Sequence, residues 1–155
     1  GRNSPSGMFG FLSAPTLAPQ LRLGPGSGTM PPRQQGRGVM RIHNLYEDAE
    51  GISHFRDIDI PWESSGPGGQ MTARLPANGI IFRQTQAEHD RPWHPAPRRQ
   101  YIVNLDAGVE LTASDGEARV IGAGEIVLVE DVAGKGHLSK SVNNQMRHSI
   151  FLPLE

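Results

Sequence analysis

"VELTASDGEARVIGAGEIVLVE", residues 109–130, decides the fold class. Two short runs rich in apolar and β-branched residues flank Asp115-Gly116, a dipeptide that closes hairpins because its glycine accepts positive φ. A two-residue type I′ loop would set Ala113 opposite Ala118, Thr112 opposite Arg119 and Leu111 opposite Val120. Leu111, Ala113, Ala118 and Val120 would then share an apolar face, with Glu110, Thr112 and Arg119 on the polar one. Beyond the Gly122-Ala123-Gly124 turn lies Ile126-Val127-Leu128-Val129, a continuous apolar run of the kind expected of a buried central strand.

The same pattern repeats outward along the chain. "SHFRDIDI" (53–60) alternates, with Phe55, Asp57 and Asp59 on one face and Arg56, Ile58 and Ile60 on the other. "NGIIFRQTQ" (78–86), "QYIVNL" (100–105) and "HSIFLPL" (148–154) add further short runs, each bounded by Gly, Pro, Asn or Asp. Many short strands at close spacing predict an all-β sandwich or barrel. No amphipathic segment of helix length occurs, and a short helical turn is expected only within "NLYEDAEG" (44–51).

The 155 residues suit one domain with an appendage. Residues 1–39 hold eight glycines, six prolines and four arginines (Arg2, Arg22, Arg33, Arg37) but no acid, and read as a flexible tail or extension. Residues 40–155 therefore hold eleven of the fifteen Lys and Arg residues and all sixteen acids, a net charge of −5. That balance argues against sequence-independent nucleic-acid binding. The absence of cysteine excludes disulfides, thiol catalysis and cysteine-ligated metal clusters. No run of eighteen apolar residues is present, so no membrane partner is expected and a cytoplasmic location is the working assumption.

The stretch "WHPAPRRQYIVNLDAGVELTASDGEARVIGAGEIVLVEDVAGKGH" (93–137) resembles the core of a small single-domain cupin. The resemblance covers roughly residues 76–155 and implies a cupin-like jelly-roll β-barrel over 40–155, with a pocket between its sheets. It further implies homodimerisation and, in metal-binding members, three histidines and a glutamate around a divalent metal. Matched to the family's two motifs, His94 stands at the second histidine of the first motif, while Pro92 occupies the place of the first. Gln100 best matches the glutamate, with Tyr101 as the other alignment. Gly134-Lys135-Gly136-His137 keeps the Gly-x-x-His spacing of the second motif, with Val132 in place of its proline and Ser141 in place of its asparagine. The metal set implied is thus His94, Gln100 and His137, for zinc, iron, copper, nickel or manganese, with His89 as a possible replacement ligand.

Two imidazoles and a neutral amide oxygen form a weaker donor set than three histidines and a carboxylate. If Gln100 faces the interior, strand alternation sends Arg98, Ile102 and Asn104 the same way. Arg98 and Asn104 are then substrate-binding candidates, and Trp93 would wall the pocket. Arg98 or Arg99 would clamp a carboxylate or phosphate, or the pair would instead meet the acidic Glu130-Asp131 turn. The glycines of "GKGH" (134–137) would let backbone amides approach an anion, although the spacing is not that of a nucleotide-binding loop. Structural roles are expected for His43, His54 and His148. Two function classes stay open. One is a metal-dependent enzyme acting on a small anionic or polyhydroxylated molecule (isomerase, lyase or dioxygenase chemistry). The other is a metal-free cupin that binds or senses a small ligand.

Overall fold

The computed structural model describes residues 39–155. The tail assigned to residues 1–39 lies, but for Val39, outside the described residues. Twelve strands follow one another: β1 (Arg41–Glu47), β2 (Ser53–Asp59), β3 (Ser64–Gly66), β4 (Gly69–Met71), β5 (Ile81–Thr85), β6 (Asp90–His94), β7 (Gln100–Asn104), β8 (Val109–Ala113), β9 (Ala118–Ile121), β10 (Ile126–Val129), β11 (His137–Ser141) and β12 (Arg147–Pro153). Among the described residues no helix is long and apolar enough to cross a membrane.

A six-stranded sheet in the order β2-β1-β10-β7-β12-β5 faces a four-stranded sheet in the order β6-β11-β8-β9. All pairings are antiparallel except β1 with β10. The two inner faces meet in one core: Leu45, Phe55, Val127 and Val129 from the larger sheet pack with Val109, Leu111, Ala113 and Ile121 from the smaller. Each such side chain contributes about 1.5–3 kcal/mol when fully buried. The fold is therefore the all-β, jelly-roll type of barrel that the sequence predicts. A second apolar cluster, centred on Ile42, Ile58 and Leu128, lies on the outer face of the larger sheet. Its alternation explains the continuous apolar run of β10, whose Val127 and Val129 point inward while Leu128 points outward.

Two local expectations are corrected. Residues 44–47 belong to β1, and no helical turn forms there; the turn that follows is a hairpin connection in which the Asp48 carboxylate accepts from the amides of Glu50 and Ile52. The β8–β9 hairpin is also slipped by one residue from the type I′ register. Leu111 pairs with Arg119 and Thr112 with Ala118. The Gly116 amide donates to Ala113 O and the Ala113 amide to Glu117 O, with Gly116 at φ 96°, a tight turn followed by a left-handed residue. Side-chain bonds hold this longer loop: Asp115 accepts from the Glu117 amide, and Ser114 Oγ accepts from the Ser53 amide. A one-residue slip inverts the faces of the second strand. Val120 is consequently exposed, and Arg119 turns inward to Asp57 and Glu117.

Candidate functional site

Between the sheets lies a cavity of about 240 Å³. Its floor is apolar, formed by Ile102, Val109, Leu111, Val127, Val129 and Phe151. Its polar lining comes from four arginines, three histidines, Gln100 and Ser139, with no aspartate or glutamate among the lining residues.

His94 and His137 reach this cavity from neighbouring strands. They are register partners across β6 and β11, yet the next pair is Arg91 with Ser139, so β6 carries one residue more than β11 over this span. That bulge answers why a proline-containing segment carries the histidine. β6 is an edge strand, where a missing amide is tolerated, and the extra residue lets both Arg91 and His94 face the cavity. Without the bulge, strict alternation would turn one of them outward. Gly136, at φ 72°, seals the arrangement, because a β-carbon there would overlap the backbone of His94 and Pro95.

Each imidazole has its Nδ1 committed to the protein. His137 Nδ1 lies 2.6 Å from Oδ2 of Asp131, a fully buried carboxylate whose Oδ1 has no partner among the described residues. His94 Nδ1 lies 2.7 Å from the Pro92 carbonyl, and donates to it. The ring centroids stand 4.4 Å apart. Burial holds the His94 pKa below its ordinary value, which keeps the ring neutral near pH 7. In His94, neutral and donating from Nδ1, Nε2 is left as a lone-pair acceptor for whatever enters the cavity, while the Asp131 contact of His137 occupies only its Nδ1.

Gln100 is buried beside them and lines the cavity, as does Arg98 at its exposed rim. His89 also lines it, near Ser139 Oγ at 3.4 Å. Asn104 is not among the lining residues: fully buried, its amide donates to Ile121 O at 2.8 Å and its oxygen accepts from Ser149 Oγ at 3.1 Å, so it closes the barrel instead of holding a substrate. Trp93, half-exposed on the bulge of β6, is likewise not part of the wall. The rival expectation for the arginine pair holds for Arg99, whose guanidinium meets Glu130 at 2.9 Å. The amides near "GKGH" meet an internal anion: Ala133 N and Gly134 N both donate to the Glu47 carboxylate. Gly134 itself is required because a β-carbon would collide with the backbone of Gly51.

A divalent metal would find Nε2 of two imidazoles and the Gln100 amide. Among the described residues no group of three or more His, Cys, Asp or Glu is placed to hold a metal ion. The surrounding arginines add positive charge where a cation would sit. This donor set fits a tightly held resident metal poorly.

Sequence reading overlooked Arg83, Arg91 and Arg147, all of which line the cavity. The only signal available was alternation: Arg147 shares its face with Ser149 and Phe151, and Arg83 with Ile81 and Thr85. No family model and no curated protein matches the chain. Among solved structures, it is similar to the protein NMB1881 from Neisseria meningitidis, at 18% identity over 52% of this chain and 79% of that one, with a TM-score of 0.40. It is also similar to a protein described as ethanolamine utilization protein Q from Salmonella typhimurium, at 9% identity over 76% of this chain and 99% of that one, with a TM-score of 0.38.

His43, His54 and His148 take the structural roles expected of them. His43 is buried near Glu125 and Arg119, and burial lowers its pKa. His54 bridges Asp48 and Asp115, and His148 pairs with Asp106.

Proposed function

We propose that the barrel is a metal-free binding pocket for a small organic molecule, gripped at one end by His94, His137 and Gln100. The observation that carries this reading is the charge of the lining: among the described residues four arginines and no aspartate or glutamate line the cavity, which suits an organic ligand better than a cation. The volume, near the lower end for ligand pockets, suits a metabolite of roughly ten non-hydrogen atoms and not a nucleotide.

The convergence of the rings, 4.4 Å between centroids, favours a second reading in which they share a metal with Gln100. Such a metal would polarise a carbonyl or activate water. Metal analysis of purified protein, next to a His94→Ala, His137→Ala double variant, separates the two. Under the metal-free reading the wild type carries no stoichiometric zinc, iron, copper, nickel or manganese, even after incubation with their salts. Near-stoichiometric metal that disappears in the double variant would replace the first reading with the second.

A further inference from the structure

The guanidinium of Arg147 is the least expected group in the cavity. It is 6% exposed, and among the described residues its hydrogen-bond partners are neutral: Nε donates to Ser149 Oγ at 3.2 Å and Nη1 to Gly108 O at 3.3 Å. A buried charge without a counter-charge is costly, and proteins ordinarily neutralise one with a carboxylate. Here the acid whose field reaches it, Asp106, is exposed and already accepts from the backbone and side chain of His148. Instead of an acid, Arg147 has another cation near it. Arg83 stands opposite Ser149 on the adjoining strand, its guanidinium 5.4 Å from the Phe151 ring. Arg91 approaches from the other sheet, opposite Ser139 and hence level with Leu111 at the middle of β8, between Arg147 and His94.

A further observation places these charges together. His89, in the connection between β5 and β6, has its pKa lowered by burial and then by Arg83, Arg147 and Arg91 in turn. Among the described residues the lining at this end holds arginines and no carboxylate.

The other end is chemically different. β8 runs between them: Nη1 of Arg147 bonds Gly108 O just before Val109, whereas His137 pairs with Ala113 at the far end of the strand. Four residue steps of about 3.3 Å put the two ends roughly 13 Å apart along the backbone. Leu111, Ile102 and Val127 line the stretch between.

We propose that Arg147, with Arg83 and Arg91, seats the carboxylate of a small aliphatic hydroxy acid whose hydroxyl donates to the imidazole end. The inference rests on the pocket reading above and deepens it by naming the ligand class. The carboxylate supplies the missing counter-charge and matches the planar fork of a guanidinium. The hydroxyl donates to the Nε2 lone pair of His94, and the methylene chain covers the apolar floor.

Isothermal titration calorimetry on the full chain tests this with 4-hydroxybutanoate, 5-hydroxypentanoate and 6-hydroxyhexanoate, each beside its uncharged amide. At least one acid is expected to bind about tenfold or more tightly than its amide, the usual worth of a charge-assisted hydrogen bond. Arg147→Gln should abolish that preference and Arg147→Lys should retain part of it, with circular dichroism reporting the fold of each. Acid and amide binding equally, or Arg147→Gln keeping the preference, overturns the proposal and leaves the pocket reading standing. Failure of every acid and every amide to bind overturns the ligand class, while the pocket reading stands or falls on the metal analysis above. Inorganic phosphate serves as the oxyanion control: displacement of a bound acid by phosphate supports the site, whereas phosphate binding alone would show an oxyanion site without the hydroxy-acid specificity and overturn the ligand class.

Discussion

Gly136 runs so close to His94 that no β-carbon fits between them. This contact fixes the distance between β11 and the bulged edge of β6, and hence the position of one imidazole over the other. Gly136→Ala must both adopt φ 72°, which disfavours any side chain, and push the His94 backbone away. The expected cost is about 2 kcal/mol or more in denaturant unfolding, with loss of the His94–His137 proximity. A variant as stable as the wild type would show that the two strands separate easily and that the imidazole pair is not held by the backbone.

Arg147 makes the opposite prediction. A residue retained for binding at the expense of stability should be replaceable by an apolar one of similar length without loss of fold. Arg147→Met removes a buried charge and leaves Ser149 Oγ and Gly108 O without this donor. Ligand-free unfolding is expected to be unchanged or to gain up to about 2 kcal/mol. A loss of several kcal/mol would mean that the guanidinium holds Ser149 and Gly108 together, which would make it a structural residue.

Asp131 holds His137 by one bond, and its two conservative replacements should separate. Asp131→Asn retains an oxygen able to accept from Nδ1, so the fold and the ring orientation should survive with weaker ligand binding. Asp131→Ala leaves a buried N–H unsatisfied, at an expected cost of about 1–3 kcal/mol. Calorimetric affinity and urea unfolding of the pair distinguish these outcomes, and equal behaviour of the two variants would argue against an orienting role.

What could be read from the sequence was set by periodicity. The runs at 53–59, 100–104, 109–113, 118–121 and 126–129 are strands because their apolar residues repeat at a spacing that only a sheet can bury. The register of β9 was not legible, because Asp115 and Ser114 hold the loop through bonds to Glu117 and Ser53, and the latter lies more than sixty residues away. β6 was missed as a strand because its Pro92 and its bulge break alternation. Gln100 was singled out by the motif resemblance and lines the cavity; one-in-two spacing from it reaches Arg98 and Ile102, which also line it, but carries too far to Asn104, which lies beyond the cavity. For Arg147 the one local signal is its alternation with Ser149 and Phe151, and an arginine at the start of a strand reads as exposed until the closed barrel turns it inward.

At the surface, His54 gives the chain a pH response independent of the cavity. Its Nε2 lies 2.7 Å from Asp48 and its Nδ1 2.7 Å from Asp115, joining the β1–β2 turn to the β8–β9 turn. The Asp48 hydrogen bond, more than the Asp115 contacts, raises the imidazole pKa above its ordinary value, against a smaller opposing effect of burial. A raised folded-state pKa means that the folded chain binds the proton more tightly than the unfolded one. The stabilisation is therefore complete below the unfolded value, about 6.5, and is lost as pH rises through the folded value. At the acidic end Asp48, whose own pKa is lowered chiefly by His54, must stay ionised, so the benefit also fades as pH falls through its folded value. Because the side chain is 30% exposed, solvent screening limits the effect to about 1 kcal/mol or less. His54→Gln should consequently unfold more readily than the wild type at pH 5.5, and the difference should shrink by pH 8.5. A nuclear magnetic resonance titration of the His54 ring should show its midpoint above that of an exposed histidine, and a difference between the two proteins that stays flat across this range would show that the bridge forms with neutral imidazole.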